Sequence, residues 1–433
     1  MHEFCYRKGQ LCCEQVPLET LARRHGTPLY VYSENTIKKH FQRLDQALAP
    51  LDHLICYAVK ANSNLGILNT LARLNSGFDI VSMGELYRVS RAGGKTSQCV
   101  FAGVGKTERE IRDALQKNIY CFNVESEAEL HRIHKVARAM RKRAPVALRV
   151  NPNVDAHTHA KITTGTYENK FGIAFEQVPD LYQRASWLPN VELRGIQMHI
   201  GSQITTVAPF IRAVRKMLPL VREMQERHRL QFFSIGGGIG IVYRSALESG
   251  HPGWWGGRKR VGRNHQPLTI DLFARSLIPL LKPLGMRILL EPGRYIAGNA
   301  GVLLTRVEYF KLTGTRNFAI VDAAMNDLIR PAFYDSYHAI APLMEPPANA
   351  KESRYDVVGP ICESGDYFAK DRALPPLREG DCLALMSAGA YGFTMASNYN
   401  ARPRPAEVLV KGTTARLVRK RESLRDLVRG EKK

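Results

Sequence analysis

From Glu34 onward the chain alternates between stretches with apolar residues three and four apart and short runs that are apolar almost throughout. ENTIKKHFQRLDQAL, GILNTLARLN, GELYRVSRAGG, TEREIRDALQKN, SEAELHRIHKVARAM and APFIRAVRKMLPLVREMQERH carry the first pattern and predict helices. The Gly pair closing GELYRVSRAGG is a common helix stop, and Thr107 is placed to cap the helix that follows it. Between the helices lie YAVK, DIVS, VFAG, CFNV, LRV, IQMHI, FSIGG and ILLEPGR, eight segments that read as strands. Strands alternating with helices predict βα units and a parallel sheet, and eight of them predict a TIM-type (β/α)8 barrel over residues 35–298.

The pattern differs at both ends. Residues 1–34 read as short strands and turns closing on TPLYVYS. After Asn299, segments such as GVLLTRVEYFKLTG, NFAIVDAAM, YDVVGPICESGD, DCLALMSAGAYG and AEVLVKGTTARLV read as strands parted by Gly, Pro and Asp turns. They predict a mostly β domain over 299–415 that also takes in residues 1–34. The Gly-, Arg- and Trp-rich stretch 249–267 breaks the βα rhythm and reads as an inserted loop. Residues 416–433 read as a basic tail, with Leu417, Leu424, Leu427 and Val428 at roughly helical spacing.

Composition narrows the class. A chain of 433 residues, 44% hydrophobic and 24% charged, is an ordinary globular protein rather than a disordered one. It has no apolar run of membrane-spanning length, and MHEFCYRKGQLCCEQV lacks the apolar core of a signal peptide, so a cytoplasmic protein without a membrane partner is expected. The eight cysteines form no C-x-x-C pair, which predicts reduced thiols and neither a zinc site nor a disulfide framework. His157 and His159, in DAHTHAK, sit in a polar loop and do not change the expectation of no metal. The net charge of +22 is gathered in HKVARAMRKRAP, in WWGGRKRVGRNH and in the tail. Such clusters raise nucleic-acid binding on a barrel scaffold as the rival reading from another class. No zinc-finger spacing or RRM-type aromatic motif accompanies them.

A TIM barrel carries its active site at the C-terminal ends of its strands. There stand Lys60, closing LICYAVK; His199 with Ser202, in QMHIGSQI; Gly236, Gly237 and Gly238, in SIGGGIG; and Glu291, Gly293 and Arg294, in LLEPGR. Taken singly, each has an ordinary reading. A strand-end lysine lays its stem on apolar surface with its ammonium in water, a glycine run is a tight turn, and a strand histidine is structural. Position 241 is Ile, so the glycines do not make a dinucleotide fingerprint. Glu291 is harder to dismiss, because a buried carboxylate costs several kcal/mol unless paired. Taken together, a lysine for an aldehyde, glycines for a phosphate and a glutamate for a protonated pyridine nitrogen describe a site for pyridoxal 5′-phosphate.

The segments YAVKANSN, FDIVSMGEL, NKFGI, HIGSQI, GGGIG, EPGR, RPAFYDSYH, GPICESGD, GAYG and YNARPRPAEVLV run in one order over nearly the whole chain. In this the sequence resembles the fold-type III pyridoxal-phosphate decarboxylases and, within them, the diaminopimelate decarboxylases. The resemblance implies an alanine-racemase-like barrel with a β domain, acting as a homodimer with shared active sites. It implies decarboxylation of meso-2,6-diaminopimelate to L-lysine and CO2. The alternative is a related decarboxylase acting on another amino acid or on a carrier-bound substrate. Residue by residue, Lys60 matches the Schiff-base lysine and His199 the imidazole stacked on the cofactor. Ser202, Gly238 and the EPGR segment match phosphate and ring contacts, with Glu291 facing the pyridine nitrogen; Asp79 matches a position near the cofactor. Arg294, Arg330 and Tyr334 match substrate-carboxylate contacts. Cys362, as proton donor, and Glu363 match a pair given by the partner subunit, and Tyr391 matches a residue touching cofactor and substrate. The insert and the basic tail match nothing.

Overall fold

The computed structural model describes residues 2–155, 170–256 and 268–432. The chain divides into two compact units. One comprises His40–Ile241 with Val261–Tyr295, the other Met1–Lys39 with Val242–Arg260 and Ile296–Lys433. Among the described residues no helix is long and apolar enough to cross a membrane.

The first unit is a barrel of eight parallel strands. They are β1 (His53–Ala58), β2 (Gly77–Ile80), β3 (Cys99–Phe101), β4 (Cys121–Val124), β5 (Ala144–Asn151), β6 (Val191–Met198), β7 (Phe232–Ser234) and β8 (Arg287–Leu290). Each pairs in parallel with the next, and β8 closes the ring on β1 by setting Ile288 against His53. The eight segments expected from the sequence are these eight strands. Helices connect them, and their starts follow local chemistry. Thr107 accepts from the Glu110 N–H at 3.2 Å, and Glu110 returns the bond to the Thr107 N–H, which is a capping box.

Strand alternation divides the barrel interior into layers. Leu54, Cys56, Val100, Cys121, Ala147, Phe232 and Leu289 form one buried apolar cluster toward the N-terminal ends of their strands. Gly195 makes room in it, since a Cβ there would meet the Phe232 ring at 2.6 Å. Truncating Phe232 would leave a cavity and cost about 3–5 kcal/mol. Two residues beyond Cys121, Ala147, Phe232 and Leu289 come Asn123, Arg149, Ser234 and Glu291, and two beyond the glycines Gly77 and Gly195 come Asp79 and Gln197. The period-two geometry that points the plug inward therefore points a polar layer inward just above it.

The second unit is mostly β, as expected. Its large sheet runs in the order Tyr367–Leu374, Ser353–Val358, Arg316–Val321, Gly301–Thr313, Leu29–Ser33, Ala406–Lys411, Thr414–Arg419. The N-terminal strand Leu29–Ser33 is thus an inner strand, antiparallel to Gly301–Thr313 and parallel to Ala406–Lys411. A three-stranded sheet, Phe4–Arg7, Gln10–Cys13 and Val16–Pro17, packs into the same apolar core through Phe4, Leu11 and Cys13.

Four expectations need correcting. Residues 1–34 are not strands and turns alone: Leu18–His25 is a helix whose Leu18, Leu21 and Ala22 enter the core. Lys60 does not end a strand, because β1 stops at Ala58 and Lys60 lies in the 3-10 turn Val59–Ala61. Residues 416–419 are not a helical tail: they complete the strand Thr414–Arg419, in which Leu417 lies opposite Val408. Only Leu424–Leu427 is helical there. The stretch read as an inserted loop begins with the short turns Glu248–Gly250 and Pro252–Gly256, grouped with the β unit; residues 257–267 lie outside the described residues.

Candidate active site

The turn after β1 carries Lys60 to the barrel mouth, where its Nζ lies 2.7 Å from Oδ2 of Asp79 on β2. The Asp79 side chain is buried while that of Lys60 is 41% exposed. Lys106 offers a useful contrast. Its Nζ also sits 2.7 Å from a carboxylate, that of Glu129, but it is 1% exposed and donates to the carbonyls of Gly103 and Asn123 as well. Lys106 ties loops together, whereas Lys60 is partly exposed at the barrel mouth. The second Asp79 oxygen, Oδ1, is buried and has no hydrogen-bond partner among the described residues.

Glu291, immediately after β8, is held by three neutral donors. Ser234 Oγ donates at 2.8 Å, Gln197 Nε2 at 3.0 Å and Asn123 Nδ2 at 3.3 Å. No cation pairs directly with it among the described residues. Burial, and after it the Asp79 charge, pushes its carboxyl up to about 7. Arg149 of β5 spends its charge on Glu125, 2.7 Å away, and Glu125 also accepts from the Gly172 N–H.

His199 follows β6. Its Nδ1 accepts from the Gly237 N–H at 3.1 Å, which leaves any ring proton on Nε2. Burial first, then Arg149 and Lys60, hold its pKa well below the usual imidazole value, so the ring is neutral. The glycine turn after β7 is forced by its neighbours. Gly236 and Gly238 have φ of 71° and 101°, and a Cβ on them would come within 2.4 Å of the Met198 carbonyl and 2.5 Å of the Gly201 carbonyl. On Gly237 it would sit 2.2 Å from the Glu291 carbonyl. Gly293 is similarly tight, with a Cβ 2.8 Å from that of Ala61. Beside this turn Arg294 Nη2 donates to Ser202 Oγ at 3.1 Å.

The structure therefore brings together Lys60, Asp79, His199, Ser202, Gly236, Gly237, Gly238, Glu291, Gly293 and Arg294 in the barrel unit. Sequence reasoning missed Asn123, Arg149, Gln197 and Ser234. The available signal was their strand parity: each is a polar residue within a barrel strand, two residues beyond a member of the plug or, for Gln197, beyond Gly195, which makes room for it. This donor set fits pyridoxal 5′-phosphate. Asp79 and Glu291 are buried acceptors, one with an unpartnered oxygen and the other without a cation, and Ser202 and Arg294 with the tight glycine turn suit a phosphate.

The remaining candidates belong to the β unit. Arg330 is buried at the start of the helix Arg330–Tyr334. Its guanidinium lies over the rings of Tyr243, at 5.3 Å, and Tyr334, at 5.8 Å. Nε donates to His338 Nε2 at 3.4 Å and Nη2 to Ser336 Oγ at 3.1 Å. Cys362 and Glu363 are exposed on a turn; the Cys362 N–H donates to Asn400 Oδ1 at 3.0 Å, and Glu363 accepts from the Tyr399 hydroxyl. Tyr391 is half-buried with a left-handed φ of 56°. His157 and His159 lie outside the described residues.

Comparison with known proteins agrees with this geometry. The family described as pyridoxal-dependent decarboxylase, pyridoxal binding domain, matches residues 34–298. Diaminopimelate decarboxylase of Vibrio cholerae is 51% identical over 430 residues, which span 99% of this chain and 98% of that protein. The Pseudomonas aeruginosa protein of the same name is 49% identical over 432 residues, 100% of this chain and 99% of its own length. The crystal structure of diaminopimelate decarboxylase from Helicobacter pylori complexed with L-lysine matches with a TM-score of 0.87 at 40% identity, covering 95% of this chain and 98% of that one. The chain belongs to the pyridoxal-dependent decarboxylases and, within them, to the diaminopimelate decarboxylase family, and its cofactor is pyridoxal 5′-phosphate.

Proposed function

We propose that this protein decarboxylates meso-2,6-diaminopimelate to L-lysine and CO2, the last step of lysine biosynthesis. The observation that carries the reading is the polar layer at the barrel mouth, where an accessible lysine on Asp79 stands with a buried, caged Glu291. When bound, pyridoxal 5′-phosphate supplies an aldehyde for an amine and a ring that takes up the electron pair released as carbon dioxide departs. Asp79 holds the Lys60 amine in place. Glu291 retains a proton on the pyridine nitrogen, and its neutral cage leaves its charge for that nitrogen alone. Neutral His199 would lie against the cofactor ring, and Ser202, Arg294 and the glycine turn would hold its phosphate. Arg294 also offers a donor to the α-carboxylate before it leaves. Arg330 and Tyr334 hold the distal carboxylate, and Glu363 the distal ammonium. Tyr391 orients substrate against cofactor. Cys362 Sγ delivers one proton to the carbon that lost CO2, so one carboxylate is exchanged for one hydrogen.

Cys362 and Glu363 are exposed, where a proton donor would be open to water. A homodimer in which they complete the partner's site, in the cytoplasm, is the arrangement that suits them. The test is to incubate the pyridoxal-phosphate-loaded protein with diaminopimelate, ornithine, arginine or lysine and follow CO2. Diaminopimelate should be preferred by a wide margin, because a buried guanidinium favours a substrate bearing a second carboxylate. Faster turnover of ornithine or lysine would overturn the assignment, and a wholly negative panel would redirect it to a carrier-bound substrate.

A further inference from the structure

The β unit contains a cavity of roughly 340 Å³ away from the residues assigned above. Arg244 and Arg372 line it, and both lay their guanidinium groups over the ring of one tyrosine, Tyr337, at 4.6 and 4.0 Å from its centroid. Two cations on one ring repel each other. Yet neither arginine forms an ion pair with any described residue. The acids nearby are engaged elsewhere: Asp371 pairs with Arg354 at 2.8 Å and Asp335 accepts from the Tyr367 hydroxyl at 2.9 Å. Glu248 lines the same cavity but pairs with neither arginine. The Tyr337 hydroxyl has no partner among the described residues either. Arg372 is half-buried and oriented by one bond, from Nη1 to the His338 carbonyl at 2.8 Å. Burial lowers the Arg372 pKa, Tyr337 offsets part of that and the Arg244 charge adds to it, and no carboxylate among the described residues pairs with either guanidinium.

We infer that Arg244, Arg372 and Tyr337 form a binding site for a small anion with several oxygens, of the phosphate or dicarboxylate class. Guanidinium forks match such oxygens in pairs, and the tyrosine between them supplies both a platform and a hydroxyl donor. The site connects to the substrate side of the unit. Arg372 holds the backbone of His338, whose Nδ1 lies 2.8 Å from the Met386 carbonyl and whose Nε2 faces Arg330. An anion drawing on Arg372 would therefore bear on the Arg330 contact and shift KM more than kcat; this last step alone rests on the substrate reading above.

The test uses the holoenzyme, so that the cofactor's own phosphate cradle is filled. Inorganic phosphate, malonate and acetate are titrated by calorimetry at constant ionic strength into wild type, Arg244→Glu and Arg372→Lys. Wild type should bind phosphate or malonate saturably, and acetate far more weakly. Arg244 is exposed, so Arg244→Glu should fold normally and weaken binding about tenfold or more. Arg372→Lys keeps the charge but loses the fork and should weaken it less. A preference between phosphate and malonate decides which source of the anion the site takes. No saturable heat in wild type, or equal affinity in Arg244→Glu, would overturn the inference. The binding result stands or falls without any activity measurement.

Discussion

The charged groups of the barrel mouth and those on the turns of the β unit are built differently. At the mouth every charge is fixed by its neighbours. Lys60 rests on Asp79, Glu291 accepts from three side chains on three strands, and neutral His199 is pinned by a backbone N–H. In the β unit Arg330 is buried among rings, but Cys362 and Glu363 are exposed on a turn, where the Cys362 N–H donates to Asn400 and the Glu363 carboxylate accepts from Tyr399. The first arrangement is preorganised by side-chain and backbone hydrogen bonds. The second leaves two of its polar groups exposed. The difference teaches that one unit fixes its charged groups by mutual contacts while the other leaves Cys362 and Glu363 exposed on a turn.

The comparison can be broken most sharply at Lys60. Lys60→Ala should lower kcat by about 10³-fold or more and abolish the absorbance of the bound cofactor, with some loss of stability because buried Asp79 loses its partner. Cofactor absorbance retained with full intensity would contradict the role given to the mouth. Cys362→Ala should lower kcat by about 10²-fold with little change in cofactor absorbance. Mixing it with Lys60→Ala after verified subunit exchange should restore part of the activity. Absence of recovery would show that the turn does not serve a partner's site.

Glu291 sharpens the picture through pH. Its folded pKa, about 7, is above the ordinary 4.5, so the cofactor-free native state binds more protons than the unfolded one between those values. The contribution of this group to stability is then fully present below about pH 4.5 and is lost as pH rises through 7, on the order of 3 kcal/mol. Glu291→Gln should flatten that slope in denaturant melts of the cofactor-free protein; an unchanged slope would mean the caged carboxylate is not its source. The smallest effect concerns the end of the chain. Arg421 donates to the carbonyls of His25, Gly26 and Pro28, just past the helix Leu18–His25. Arg421→Ala should cost about 1–2 kcal/mol and lower the melting temperature by a few degrees without altering kcat. A melt identical to wild type would return this segment to the solvated tail its composition resembles.

Local pattern alone determined the eight barrel strands, the β character of the second unit and the strand-end positions of His199, the glycine turn and Glu291. These are readable because side-chain periodicity and turn residues act over a few neighbours. What the sequence could not decide are facts made by pairing and closure. Asn123, Gln197 and Ser234 surround Glu291 only because the ring closes and brings residues of equal parity into one layer. The bond from Lys60 to Asp79 depends on a turn that begins after Ala58, a boundary the apolar run YAV conceals. The basic stretch Thr414–Arg419 is a strand because Ala406–Lys411 offers it an edge, since strand formation depends more on the partner than on intrinsic propensity. Sequence thus picked out the candidate residues of the barrel mouth, while only the tertiary structure decided which of them are caged, which are neutral and which are exposed.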